Sequence, residues 1–140
     1  RALYRGEPRI FKDSDVTVEL IEKYHLVVWG TPKSNSLLRK ALPDLPIHWD
    51  QNHSLKANGQ NYNPEHHIPL LIHPNPLNPD KYIILNSGPT HREAHDRTNS
   101  LQNPKLGDWA IVDVRQKPSA ESPGHVAARG FFDEQWQWPN

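Results

Sequence analysis

Two histidine clusters and one serine are the residues whose type and spacing could do chemistry. His91-x-x-x-His95-Asp96 places two imidazoles four apart, so on a helix they share a face and could both reach a metal. Arg92 follows the first of them, so the string is not HExxH, and no third ligand stands at motif spacing. No metal and no cofactor are therefore expected, and surface or capping histidines are the simpler reading. Glu65-His66-His67 is the second cluster; adjacent residues of a strand face opposite ways and do not chelate together. Ser87, in Asn-Ser-Gly-Pro at a strand exit, is the best-placed candidate nucleophile, with His91 or His95 as its base. It lacks the glycine-flanked turn of GxSxG, as do Ser34 and Ser100, and a plain turn is the simpler reading. A candidate ligand loop is formed by Gly30, Thr31, Lys33, Ser34 and Asn35, between a strand and a helix. Lys33 and the helix N-terminus could hold an anion there. Neither GxGxxG nor GxxxxGK is present, and a tight turn with Asn35 or Ser34 as N-cap is the alternative. Asp133-Glu134, and Asp108 with Asp113, carry no distinguishing spacing and read as solvated surface. Trp49, Trp109, Trp136 and Trp138 could stack on sugars, but core or interface packing is the expected use.

The elements that must position these residues centre on 65–93. Two apolar runs, Ile68–Ile72 and Tyr82–Leu85, flank HPNPLNPDK and read as buried strands joined by a turn. Pro69 implies an edge position or a strand beginning there. Before this segment the sequence predicts an arm over 1–12, a helix from about Ser14 to Tyr24, a strand over His25–Gly30 and a helix over Ser36–Ala41. A helix exit into a short strand follows at 42–49, and Asn58-Gly59 marks a turn before a short edge strand at 59–62. After it come a helix over Thr90–Leu101 with a capping box, a strand over Asp108–Val114, a Pro/Ser loop over 116–124 and a strand over Val126–Phe132. Alternating helices and strands predict an α/β fold: a layered α/β sandwich with a mostly parallel sheet and one antiparallel pair. Leu26, Val28, Leu71, Ile83, Leu85, Ala110 and Val112 are its expected core.

Composition narrows the classes of function. With 140 residues a single domain over 1–140 is expected. Formal net charge is +0 with neutral histidines, which argues against a broad electrostatic grip on nucleic acid or anionic membrane. No apolar run approaches the roughly 20 residues that cross a bilayer, so no membrane span is expected. There is no Cys, which excludes disulfides and thiolate chemistry. There is also no Met, and a chain beginning Arg-Ala-Leu-Tyr reads as a fragment or processed product of a larger precursor.

Four stretches carry a resemblance: LVVWGTPKSNSLLRKALPDLPIHWD, HHIPLLIHPNPLNPDKYIILNSG, DWAIVDV and GFFDEQW. Together they are similar to the C-terminal region of large secreted α/β-hydrolase proteins of the prolyl-oligopeptidase type, from planctomycete-like bacteria. In that family a strand runs into WGxPxSN, then LPI-x-W, PNPLNPxxYxxLNSG, DWAxxDV and GFFDExW. These fall here at Trp29–Asn35, Leu45–Trp49, Pro74–Gly88, Asp108–Val114 and Gly130–Trp136. The chain departs from the pattern at Gly88-Pro89-Thr90-His91, so no ligand role transfers there. The resemblance implies a Ser-Asp-His catalytic part upstream in the same precursor and an export signal, hence a periplasmic or extracellular location. It assigns no nucleophile to this chain. A noncatalytic accessory domain, or a clipped C-terminal product, is the first expectation. A small self-sufficient serine hydrolase using Ser87, or a ligand-binding module using Gly30–Asn35, are the alternatives. The arm and the aromatic tail 131–138 are expected to stay partly uncovered and to contact the upstream part or a second copy, with Trp136 or Trp138 in the contact.

Overall fold

A computed structural model describes residues 8–50, 52–86, 106–117 and 124–140. The fold is mostly β, and this corrects the expected layered α/β sandwich. The main sheet joins β1 (Leu26–Trp29), β5 (His67–Asn75), β6 (Asn78–Asn86), β7 (Trp109–Asp113) and β8 (His125–Gly130). Its strand order is β1-β6-β5-β7-β8. Only β1 and β6 run parallel; the other three pairings are antiparallel. A second sheet holds β2 (His48–Asp50), β3 (Ser54–Ala57) and β4 (Gln60–Tyr62), all antiparallel. The alternation misled because the described helices, α1 (Val18–Lys23) and α2 (Ser36–Ala41), have six residues each. Neither can bridge a long series of parallel crossovers. The stretch Thr90–Leu101 lies outside the described residues.

Local chemistry explains the elements. The expected helix from Ser14 is split into a 3₁₀ turn at Asp13–Asp15 and α1. Thr17 caps α1, its hydroxyl accepting from Leu20 N at 3.3 Å, and the β-branched Val16 and Thr17 are left extended. Asn58 and Gly59 take positive φ of 48° and 73°, the two-residue turn that Asn-Gly favours.

The β5–β6 hairpin is longer than the apolar runs suggest, because HPN and NPDK belong to the strands and only Pro76-Leu77 turns. In PNPLNP, Asn75 accepts from Leu77 N at 3.0 Å, an Asx-type turn that closes the tip. β5 is a central strand, which corrects the edge reading of Pro69. Ile72 N donates to Asp108 O and Val114 N to His66 O, each at 2.8 Å. Even-numbered residues of β5 thus turn their amides toward β7, and odd ones toward β6. Pro69 faces β6, whose described pairing starts only at Leu71. Pro74 faces β7, whose pairing ends at Leu71. Pro74 thus sits where the ladder on its side has ended.

The main core lies on one face of the large sheet. Val28, Ile83, Leu85, Leu71 and Ile111 meet Leu37, Leu38 and Ala41 of α2, Trp49 and Leu55 of the small sheet, and Phe132. Leu70, Ala110 and Val112 form a second cluster. Of the expected core, six residues are buried and Leu26 is half-buried against the same cluster. The aromatic tail folds back rather than standing free. Phe132 is buried, and Trp136 and Trp138 are half-buried against the core. Trp138 Nε1 donates to Pro46 O at 3.1 Å, and its ring meets Trp109 at 5.1 Å and Phe132 at 4.9 Å between centroids. All four tryptophans singled out above are thus packing residues, while Phe131 stays exposed.

Candidate functional site

The parallel pair brings the Gly30–Asn35 loop to the carboxyl ends of β1 and β6, since Trp29 and Asn86 are register partners. This is where open sheets with parallel strands hold ligands. Asn86, the residue before Ser87 in the sequence, is thus level with the start of that loop. Ser87, His91 and His95 themselves lie outside the described residues.

The loop is dense with its own hydrogen bonds. Gly30 has φ +100°, a backbone conformation that favours glycine, and a Cβ there would lie 2.7 Å from Ser34 Oγ and displace that hydroxyl. Thr31 N donates to Ser34 Oγ at 2.9 Å. Asn35 donates from Nδ2 to Trp29 O at 2.9 Å and accepts from Leu38 N at 3.0 Å. Arg39 donates from Nε to Pro32 O at 2.9 Å and from Nη2 to Lys33 O at 3.3 Å. Asp13 Oδ2 accepts from Ser36 N at 2.7 Å and from Ser36 Oγ at 2.5 Å. These bonds, the hydroxyl first, hold the Asp13 carboxyl below its ordinary value. An acid supplied by the chain already stands at the start of α2. An outside anion would have to displace it; Lys33 and Ser34 are exposed on the loop.

The structure adds a polar cluster that sequence reading assigned to solvated surface. Asp113 is buried, and Arg115 grips it from Nε at 3.0 Å and 3.1 Å and from Nη2 at 2.5 Å. These bonds, followed by the bond from Arg115 N, keep its carboxyl far below the ordinary aspartate value, as charge-assisted pairing dictates. His67 Nε2 lies 3.9 Å from Asp113 Oδ2, and its Nδ1 is 2.9 Å from Asn63 O. Asp-x-Arg at a strand end carries no spacing that would have revealed this. Asp108 is likewise structural, its Oδ2 accepting from Phe132 N at 3.0 Å.

Among the described residues no serine or threonine hydroxyl is bonded to a histidine: Ser34 bonds to Thr31, and Ser36 to Asp13. Asp13, held ionised, is a poor base for Ser36. Among the described residues no group of three or more His, Asp or Glu could hold a metal, and no helix is long and apolar enough to cross a membrane. No protein-family model, curated protein or solved structure matches the chain.

Proposed function

We propose that the chain is a noncatalytic accessory domain, or a processed C-terminal piece, of a secreted serine-hydrolase-like protein, and that it packs on the catalytic part of that protein. The resemblance of PNPLNP, LNSG, DWAIVDV and GFFDEQW to the prolyl-oligopeptidase-type family suggests the parent. The observation that carries the noncatalytic reading is the commitment of three described carboxylates to the fold itself. Asp13 caps α2, Asp108 holds Phe132 and Asp113 is locked to Arg115. Catalytic acids and bases need a free, correctly poised partner instead. Secretion, to the periplasm or the exterior, is part of the same proposal. The test is the intact mass of the native material set against the open reading frame that encodes it. A longer frame with GxSxG upstream supports the reading; a frame ending at these residues on both sides overturns it.

A second reading is favoured by the pairing of Trp29 with Asn86. Because this sets the Gly30–Asn35 loop level with Asn86, the residue before Ser87 in the sequence, a small hydrolase centred on Ser87 is the rival. Covalent labelling of Ser87 by a fluorophosphonate would establish it, and absence of labelling would remove it.

A further inference from the structure

Arg39 carries a positive charge that the described fold leaves uncompensated. Its guanidinium donates from Nε to Pro32 O at 2.9 Å and from Nη2 to Lys33 O at 3.3 Å, and both acceptors are uncharged. Among the described residues no carboxylate pairs with it, and Nη1 has no partner. The two carbonyls hold the planar fork in one orientation, so little further freedom is lost when it meets an anion. Lys33 and Lys56 are exposed, and their ammonium groups enter no hydrogen bond or ion pair among the described residues.

These three cations come from separate stretches: the loop after β1, α2 and β3. They line one groove of about 780 Å³, within the roughly 300–1,000 Å³ of small-molecule sites. Asp50 is the one acid among the described lining residues. It is already engaged, accepting from Asn52 N at 3.2 Å and lying 3.1 Å from His53 Nδ1. The chain as a whole has a formal net charge of +0, so this is a local concentration of positive charge and not part of a broad basic surface. The floor is apolar. Leu42, Pro46 and Trp138 line it, and each keeps part of its surface uncovered. Because Trp138 Nε1 is spent on Pro46 O, its indole offers ring surface and no polar atom. Pro32 and Lys33 line this groove, whereas Gly30, Thr31, Ser34 and Asn35 do not.

We infer that this groove binds a small aromatic acid. A planar apolar ring lies on the floor beside Trp138, and its carboxylate or phosphate meets Lys33, Arg39 and Lys56. Apolar contact supplies most of the covered area, and the convergent cations select the anionic form of the ligand. The inference stands apart from the hydrolase-associated reading, because it uses only the groove and its lining.

The experiment titrates the whole chain with anilinonaphthalene sulfonate, a fluorescent aromatic anion, and with phenylnaphthylamine, its uncharged twin. Saturable binding of the anion is expected, tighter than that of the twin by about tenfold or more, the factor that a charge-assisted bond is worth. Lys33→Gln with Lys56→Gln changes only exposed side chains and is expected to remove that preference, with near-ultraviolet dichroism unchanged. Lys12→Gln, at the rim of a different groove, should leave it intact. Competition separates the two sources of the anion: displacement by phenyl phosphate or by phenylacetate, but not by benzyl alcohol, supports the inference and shows which acid the groove prefers. Absence of saturable binding, equal binding of the uncharged twin, a preference that survives the double lysine variant, or displacement by neither acid would each overturn it.

Discussion

Asn78 joins segments that lie 57 residues apart, its amide donating to Ile21 O at 3.0 Å. It also reaches Glu22 O at 3.3 Å, so the hairpin tip satisfies carbonyls at the end of α1 that no helical amide can reach. Asn78→Ala is expected to lower stability by about 1–2 kcal/mol, measured by urea unfolding. Gly107 is a sharper case: φ is +77°, and an added Cβ would stand 2.4 Å from Gly130 O. Gly107→Ala should therefore cost about 1–3 kcal/mol, by strain at a close backbone contact. Asp113 sets an acid limit. Its folded carboxyl sits below the ordinary 3.8, so between the two values the unfolded chain binds the extra proton. Its contribution is complete above about pH 5 and is lost progressively as pH falls through and below the ordinary value. Asp113→Asn should flatten that decline in a series of denaturation curves. None of these roles was legible in the sequence, because each depends on a partner that spacing does not reveal.

At the scale of elements, the sequence was informative wherever one segment decides its own structure. The apolar run of β1, the Asn35 cap of α2, the Asn-Gly turn and the β5–β6 hairpin are local features, and all can be read directly. Strand pairing is not local. An apolar run buried on both faces looks the same whether its neighbours run parallel or antiparallel, and this is why the sandwich expectation failed. The packing of the aromatic tail is non-local in the same way: Trp138 finds its acceptor at Pro46, 92 residues away. Trp136 and Trp138 pack half-buried against the core. Trp138→Ala should cost about 2 kcal/mol or more, part of the loss seen when large aromatics are deleted. A lowered melting temperature with altered near-ultraviolet dichroism would check it.

For the whole molecule, the expected readout is an inert chain. Pure protein should not turn over a simple ester, since Asp13, Asp108 and Asp113 are engaged in holding the fold and no described hydroxyl is bonded to a histidine. Turnover that vanishes in Ser87→Ala would show otherwise. The place of the candidate loop was legible: a glycine turn follows the best strand, and the loop lies at the carboxyl ends of β1 and β6. That Asp13 already occupies the start of α2 could not be foreseen, because it comes from 23 residues upstream.

The parallel union of β1 with β6 also has a consequence in time. β5 and β6 meet across a two-residue turn, so their pairing closes a short loop. Leu26 reaches Ile83 only across 57 positions, and closing that span costs more chain entropy before any contact repays it. The hairpin should therefore be formed at the rate-limiting barrier, with β1 docking afterwards. Val28→Ala, at a buried position of the late strand, should speed unfolding and leave the refolding rate nearly unchanged, whereas Ile83→Ala should slow refolding. Stopped-flow chevrons of the two variants would separate these outcomes, and equal effects on both limbs would place β1 in the early nucleus instead.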